Sequence, residues 1–483
     1  MGVGLSGGFR TLSGMAQNFL SCDRDQVLLL PPSLQEWLPE DHLVWTILDA
    51  VAEMNLDALY GVYRRDGHGR PAYDPAMVVA LLLYGYSRGV RSARAIERTC
   101  VEDVAFKMIA MMETPDHATI ARFVARHEVA LAELFSDVLG LCAEAGLVRV
   151  GVIALDGTKV QANASRFANL DYRQITRQIM DEADRIDREE DELYGDRRGD
   201  ELPIEVSKHN GRRAWLREAK RRLEEKRAGD PKPIPRSRQE RLKESKRRLE
   251  EELEAERQAN SAYEAWRARG VSADGYRRMA PGTVKPYKPP DTPQGKVNIT
   301  DPDSREVKTV RWVIQGYNPQ AVVNENHIVL AAEISNHSSD FGHLEPMVNA
   351  TRRELAKVGV SETPGVLLAD AGYWHNEQMD NVTASGIRLL CPPEAATRKG
   401  TRRGWDSGRY SWMRHVLSSE LGQQLYRKRK VTIEPVFAHT KFNRRFDRFQ
   451  RRGRAAAHSE WRLVTASHNL LKLHQHRIAA PGP

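Results

Sequence analysis

Val150-Gly151-Val152-Ile153-Ala154-Leu155-Asp156-Gly157 is an apolar, β-branched run that ends on a single acid and turns at once. A short run of this kind bounded by glycine fits a strand buried on both faces, as in the middle of a sheet covered by helices. A carboxylate at its end lies where the sheet opens to solvent, the place where ligands bind in open α/β sheets. Gly365-Val366-Leu367-Leu368-Ala369-Asp370 repeats the design and runs on through Ala371-Gly372-Tyr373-Trp374. Two acids, Asp156 and Asp370, are therefore expected at the ends of two buried strands.

A chain of 483 residues is too long for one ordinary core, and two or three domains are expected. The formal net charge of +8 is unevenly placed: Thr397 to Arg454 holds 17 Lys and Arg against 4 Asp and Glu, which leaves the remainder slightly acidic. A concentrated basic segment suits a polyanion such as nucleic acid, or is a solvated basic face. Cys22, Cys100, Cys142 and Cys391 form no C-x-x-C pair, which argues against a zinc or disulfide framework and fits a reducing, cytoplasmic compartment. The longest apolar run, near Met77 to Tyr86, is about half the ~20 residues a membrane span needs, so no membrane partner is expected. Met1-Gly2-Val3-Gly4-Leu5-Ser6 fits a myristoylation pattern, but residues 1–35 read as a flexible head.

Residues 36–147 read as helical. Asp74-Pro75 is an N-cap followed by proline at the first helical position, with an apolar body from Met77 to Gly89; a second helix starts at Ser92. A third is expected from Asp116 toward Gly146, with Ile120, Phe123, Leu131, Leu134, Phe135 and Val138 at steps of three and four. With Arg88, Arg91, Arg94, Arg98, Arg122 and Arg126 on or between them, these helices are either a helix-turn-helix-like DNA reader or, the preferred reading, a plain bundle.

After Asp156 the chain changes character. Residues 171–280 are charged in both signs, with Ile175, Ile179, Ile186, Leu193, Leu216, Leu223, Leu242, Leu249 and Leu253 at spacings of four and seven. That is the narrow seam of a coiled-coil-like helical insertion, serving as a solvated spacer or as a DNA-contacting or dimerising arm. Its Trp215 and Trp266 are expected to pack the helices rather than to stack on an extruded base.

Strand patterns return beyond the connector Pro281–Pro293. Arg311–Val323, the turn Asn324-Glu325-Asn326 and Ile328–Ile334 form a hairpin signature. Asp340 is expected to cap a helix through Leu355; a helix from Asn376 stops at Gly386, and Ile387–Cys391 is a final strand. Glu434 precedes Pro435, which places the acid at a helix start, with Lys441 two turns along the same face and Phe442, Phe446 and Phe449 on an apolar stripe. Asp301 and Asp303 read as a turn, and His474 and His476 as solvent-exposed rather than metal-binding.

ALDGTKVQAN around Asp156, TDPDSR from Thr300, GYNPQAVV from Gly316, LLADAGYW around Asp370 and IEPVFAHTKFNRRFDRFQRRG from Ile433 together resemble bacterial insertion-sequence transposases of the DDE type. The resemblance runs from about Glu36 to His474. It implies an α/β fold, a ribonuclease H-like mixed sheet flanked by helices, interrupted by a helical insertion and preceded by an all-α N-terminal domain. The catalytic domain would comprise 148–170 and 281–474, the helical domain 36–147 would bind DNA, and 475–483 would be a tail. Asp156, Asp370 and Glu434 become the metal-binding catalytic triad, and Lys441 the basic residue that follows the Glu. Tyr426 and Arg429 stand one residue off the family's usual spacing and are not carried over firmly.

Three carboxylates suit oxygen-loving Mg²⁺ better than His or Cys would. Two such ions, with Mn²⁺ able to substitute, can cleave a phosphodiester in line and join a freed 3′ end to target. Lys441 and the neighbouring Arg444, Arg445 and Arg448 are the expected DNA contacts. The expected protein is a DNA transposase acting at terminal inverted repeats as a homodimer on double-stranded DNA, cytoplasmic and nucleoid-associated. The alternatives are a non-catalytic DNA-binding regulator retaining the fold and a ribonuclease H-like nuclease without strand transfer.

Overall fold

The computed structural model describes residues 34–63, 72–186, 212–229, 234–235, 237–268, 287–309, 312–394 and 408–479. Leu34–Trp37 form one 3-10 turn within an N-terminal unit that ends at Pro39. From Glu40 onward the chain forms a second compact unit, described below. Expectations for the head, Leu193 and the start of the Pro-rich connector lie outside the described residues.

Among the described residues seven helices come first: α1 (Leu43–Glu53), α2 (Asp57–Tyr60), α3 (Pro75–Ser87), α4 (Ala93–Glu102), α5 (Val104–Ile109), α6 (His117–Arg126) and α7 (Glu128–Glu144). Their starts fall where the sequence puts caps. Asp74 Oδ1 accepts from the Ala76 N–H, Ser92 Oγ from Ala95 and Asp116 Oδ1 from Thr119, each satisfying an amide that a helix start leaves unpaired. The single helix expected from Asp116 toward Gly146 is two. His127 leaves helical backbone at φ −108°, ψ 25°, and its buried ring packs against Tyr63 and Phe123, with centroids 5.7 and 4.6 Å away. Ile120 and Phe123 before the break and Leu131, Leu134, Phe135 and Val138 after it are all buried, so the apolar spacing reads straight through.

The sheet is built from β1 (Val152–Gly157), β2 (Val160–Gln161), β5 (Arg305–Lys308), β6 (Val313–Asn324), β7 (Val329–Ser335), β8 (Val366–Leu368) and β9 (Arg388–Leu390); a separate small pair joins β3 (Asn169–Asp171) to β4 (Lys296–Asn298). Long β6 is flanked by β1 and β2 along one edge and by β7 and β5 along the other, always antiparallel. Beyond β1 come β8 and β9, both parallel to it. Val152–Leu155 are buried, as a central strand requires. Pro319 falls where β6 passes from its pairing with β1 to its pairing with β2, so its missing N–H breaks no run of ladder bonds.

The described part of the insertion is helical: α8 (Tyr172–Ile186), α9 (Arg212–Gly229) and α10 (Arg238–Ala268). Ile175, Leu242 and Leu249 of the predicted seam share a small core with Val297. Trp215, Tyr263 and Trp266 form an aromatic cluster between α9 and α10, the packing role expected of the tryptophans. Arg305 reaches Glu224 and Glu252 at 2.9 and 3.4 Å, and Arg248 pairs with Asp303. The TDPDSR stretch is a turn, but a buried one that bolts the insertion to β5; Asp301 is fully buried and accepts from the Tyr317 hydroxyl at 2.8 Å.

α11 (Leu344–Lys357) and α12 (Asn376–Ala384) fall where expected, followed by α13 (Gly408–Ser418), α14 (Glu420–Ala438) and α15 (Arg454–Ala479). Two expectations are corrected here. Glu434 does not start a helix: α14 begins fourteen residues earlier behind the Ser419 cap, and Pro435 sits in its last turn. Proline is tolerated there because the carbonyl it leaves unpaired, that of the exposed Val431, can be reached by water. Nor does the helix continue through Phe449. It widens into a π turn over His439–Asn443 and then unwinds, leaving Phe442 exposed while Phe446 and Phe449 are buried. α15, not anticipated from sequence pattern, is the hub, packing on α7, α3, α1 and β7.

Candidate active site

Asp156 lies near the end of β1, and Asp370 stands at the matching step beyond β8, because the parallel register pairs Ala154 with Leu368. The two side chains are 17% and 38% exposed. Each acid accepts a nearby backbone amide: Gly157 N–H to Asp156 Oδ1 and Gly372 N–H to Asp370 Oδ1, both at 2.8 Å. Arg429, from α14, joins them, its Nη2 standing 2.7 Å from Asp156 Oδ2 and 3.8 Å from Asp370 Oδ2. Three residues earlier on the same helix, the Tyr426 hydroxyl donates to the Ala369 carbonyl at 3.4 Å and pins α14 across the end of β8.

Burial pushes Asp156 up to about 6, with Asp370 and Asp340 adding to the rise while Arg429 and the Gly157 N–H oppose it. Asp370 is raised by burial as well. Arg429 shows the reverse: burial works against its charge, but Asp156, Asp370, Tyr426 and Glu434 raise its proton affinity overall. All three acids singled out in the sequence thus act on one guanidinium. Glu434 itself is exposed on α14, and among the described residues no three His, Cys, Asp or Glu side chains form a group that could hold a metal ion.

The pair of aspartates nonetheless has the chemistry of a hard-cation site. Its donors are carboxylate oxygens from two adjacent strand ends, converging on a point that already attracts positive charge. The nearby Cys391 is no competing soft ligand, since burial pushes its thiol up and Sγ–H donates to the Asp370 carbonyl at 3.1 Å. Asp156 and Asp370 fit a divalent ion; Glu434 is not grouped with them.

The expected DNA contacts separate. Lys441 lies in the π turn, its Nζ donating to the Lys159 carbonyl at 3.0 Å, and burial followed by the charge of Lys159 lowers its proton affinity. Arg445 and Arg448 are exposed. Arg444 is buried: it donates to the Val464 carbonyl and to the hydroxyls of Ser467 and Thr440, and burial brings it down to about 9. It fastens the π turn to α15. His474 meets Thr46 Oγ1 at 2.9 Å, and His476 is exposed.

Asp340 is the residue that sequence reasoning misplaced. The cap of α11 is His343, and Asp340 turns instead toward the two acids. Its Oδ1 accepts from Asn318 Nδ2 at 2.8 Å, Gln320 Nε2 at 2.9 Å and Lys159 Nζ at 3.1 Å. These partners overcome the effect of burial and lower its pKa. Gly157 makes the approach possible: a Cβ there would stand 2.2 Å from Gln320 Nε2 and 2.6 Å from Asp340 Oδ1. The available signal was Asn318 and Gln320 two apart in a strand, hence on one face.

Two family models match. One described as transposase domain (DUF772) covers residues 32–126, and one described as transposase DDE domain covers residues 387–474. No curated protein matches the chain, and no solved structure does. Among the described residues no helix is long and apolar enough to cross a membrane.

Proposed function

We propose, from two matches that together support an insertion-sequence DDE transposase, that the chain binds the terminal inverted repeats of its element, cleaves phosphodiester bonds there and joins the 3′ ends to target DNA. DNA is the partner the family implies, and divalent metal ions are its usual cofactor. The observation that carries the reading is the convergence of Asp156 and Asp370 on Arg429 at the ends of two parallel strands. The strand order β7-β6-β1-β8-β9, antiparallel at first and then parallel, supports a ribonuclease H-like sheet.

Asp156 and Asp370 would hold the metal, Mg²⁺ by preference, and Glu434 would complete the set from α14. When bound, such ions neutralise charge on the attacking and leaving oxygens of an in-line displacement. The chain's own residues bind and orient the DNA. Arg429 offers a planar donor fork beside the acids, suited to a phosphate. Lys441 adds a point charge from the π turn, and the exposed Arg445 and Arg448 extend the basic surface along the strand. The helical region 36–147 is assigned to recognition of the ends, and a homodimer would handle two ends together.

Cleavage of a supercoiled plasmid carrying the inverted repeats that flank the coding sequence tests this, comparing native protein with Asp156→Asn and Asp370→Asn. Mg²⁺-dependent cutting and joined products, both lost in variants that still bind the ends, are expected. Nicks without joined products indicate a nuclease lacking strand transfer. Exposed Glu434 favours one other reading, a DNA-binding regulator without catalysis. Specific binding with no cutting by the native protein would establish it.

A further inference from the structure

Lys159 has no role in the reading so far, yet it is held unlike a surface lysine. It follows the β1 turn, and its side chain is only 18% exposed. Its Nζ donates to Asp340 Oδ1 at 3.1 Å, and its carbonyl accepts from Lys441 Nζ at 3.0 Å. The Asp340 oxygen is fixed in turn by Asn318 and Gln320, which project from one face of β6. A carboxylate pinned by two amides sets the direction of the ammonium that it holds.

That carboxylate stands between the two strand ends. Its Oδ1 is 2.6 Å from where a Cβ on Gly157 would be, and its Oδ2 is 3.6 Å from where one on Gly372 would be; the Gly372 position is itself 3.0 Å from Asp370 Oδ1. Lys159 is thereby placed beside the acid pair, with Lys441 at its backbone. Asp340 takes one of the three donors of the ammonium. The compact ammonium of Lys159, held by a carboxylate, and that of Lys441, held at the Lys159 carbonyl, suit the non-bridging oxygens of a backbone phosphate.

We propose that Lys159, oriented by Asp340, is a second phosphate-holding cation of this site and grips, with Lys441, the DNA phosphate next to the Asp156–Asp370 pair. The proposal rests on the cleavage-site reading above. Asp340 is a positioning residue: it touches the lysine and not the DNA.

Full-length protein in the Asp156→Asn background, which leaves the probe uncut, is titrated with a duplex carrying the terminal inverted repeat that flanks the coding sequence. The same duplex is then prepared with a single uncharged methylphosphonate at successive positions near the cleavage point. Lys159→Met keeps the aliphatic stem and removes the charge. It should weaken binding about tenfold and lower the slope of log affinity against log salt by roughly one. The loss should vanish on the duplex neutralised at the gripped phosphate, because both partners of that contact are then uncharged. Asp340→Asn should give a smaller loss that vanishes on the same duplex, and Lys159→Arg should restore part of the binding.

No loss, or a loss equal on every duplex, overturns the proposal and leaves the ion pair as a brace between the β1 turn and the segment before α11. If Lys159→Met does not fold, Lys159→Arg decides: its altered reach must change affinity on every duplex except the one neutralised at the gripped phosphate, and a uniform effect overturns the proposal. The two readings fail differently. Binding without the Lys159 pattern sinks this proposal alone, intact binding without cutting by the native protein sinks the catalytic reading, and absence of DNA binding sinks both.

Discussion

At the scale of the residue, Asp156 is a carboxylate that folding makes harder to ionise. Burial raises it from the ordinary 3.8 to about 6. A raised acid stabilises the folded state fully below its unfolded value, and that contribution is lost as pH rises through the folded value. In metal-free buffer, stability should therefore fall between about pH 4 and pH 6 by roughly 1 to 3 kcal/mol on account of Asp156. Asp301, also raised to about 6 by burial, titrates in the same window. The quantity to measure is thus the difference between native protein and Asp156→Asn in urea midpoints across that range, and a difference that does not vary with pH would refute the assignment. Arg429 is the counterpart. Arg429→Ala leaves the largely buried carboxylate of Asp156 and the partly exposed one of Asp370 without their cation and should cost about 3 kcal/mol. If the pair accepts divalent ions, millimolar Mg²⁺ should return more of the thermal midpoint in Arg429→Ala than it adds to the native protein; equal shifts would mean that the pair does not bind the ion.

At the scale of the element, what could be read in the sequence was what local pattern fixes. β1 and β8 are apolar on both faces because helices and neighbouring strands cover them, so Asp156 and Asp370 could be placed at their ends from the chain alone. α15 escaped for the opposite reason. Ser459, Glu460, Arg462, Thr465, Ser467, His468 and Asn469 are buried in it, each polar, and partners such as Arg91, Glu354 and Val329 come from remote parts of the chain. No amphipathic period survives such a composition. The Glu434-Pro435 pair misled because proline is commonest at helix starts. Family spacing points to Arg429 without carrying it over, and Asp340 reads as a helix cap, because tertiary contact brings both to the acids. Asn469 exposes the logic of α15: its Nδ2 donates to the Val329 carbonyl, and its Oδ1 accepts the Val329 N–H, both at 2.9 Å. It thus satisfies backbone groups of β7 that would otherwise be buried unpaired. Asn469→Leu should destabilise by about 2 to 4 kcal/mol, two buried backbone groups losing their partners; a urea midpoint unchanged within error would show that β7 finds other partners.

At the scale of the molecule, the N-terminal helices and the sheet share one interior. Arg462 on α15 donates to the Ala132 carbonyl of α7 at 2.7 Å, to Ser136 at 3.1 Å and to Glu354 of α11 at 3.0 Å, while Ser136 donates to Glu354 at 2.6 Å. One buried guanidinium thus ties together three helices from distant parts of the sequence. The apolar face of α7, with Leu131, Leu134, Phe135 and Val138, is buried in the same region, where α7 packs on α15. Residues 40–147 cut from the rest would expose that face and leave Ser136 without its partners. Such a fragment should keep helical far-ultraviolet dichroism but lack a cooperative thermal transition and bind a hydrophobic dye, as loosely packed states do. Differential scanning calorimetry beside the full chain decides the matter. A sharp transition in the fragment near that of the full chain would make these helices an autonomous module with α15 merely docked upon it. Its absence would mean that α15, lying between α7 and strand β7 of the sheet, belongs to both interiors, so that neither can be reshaped without the other.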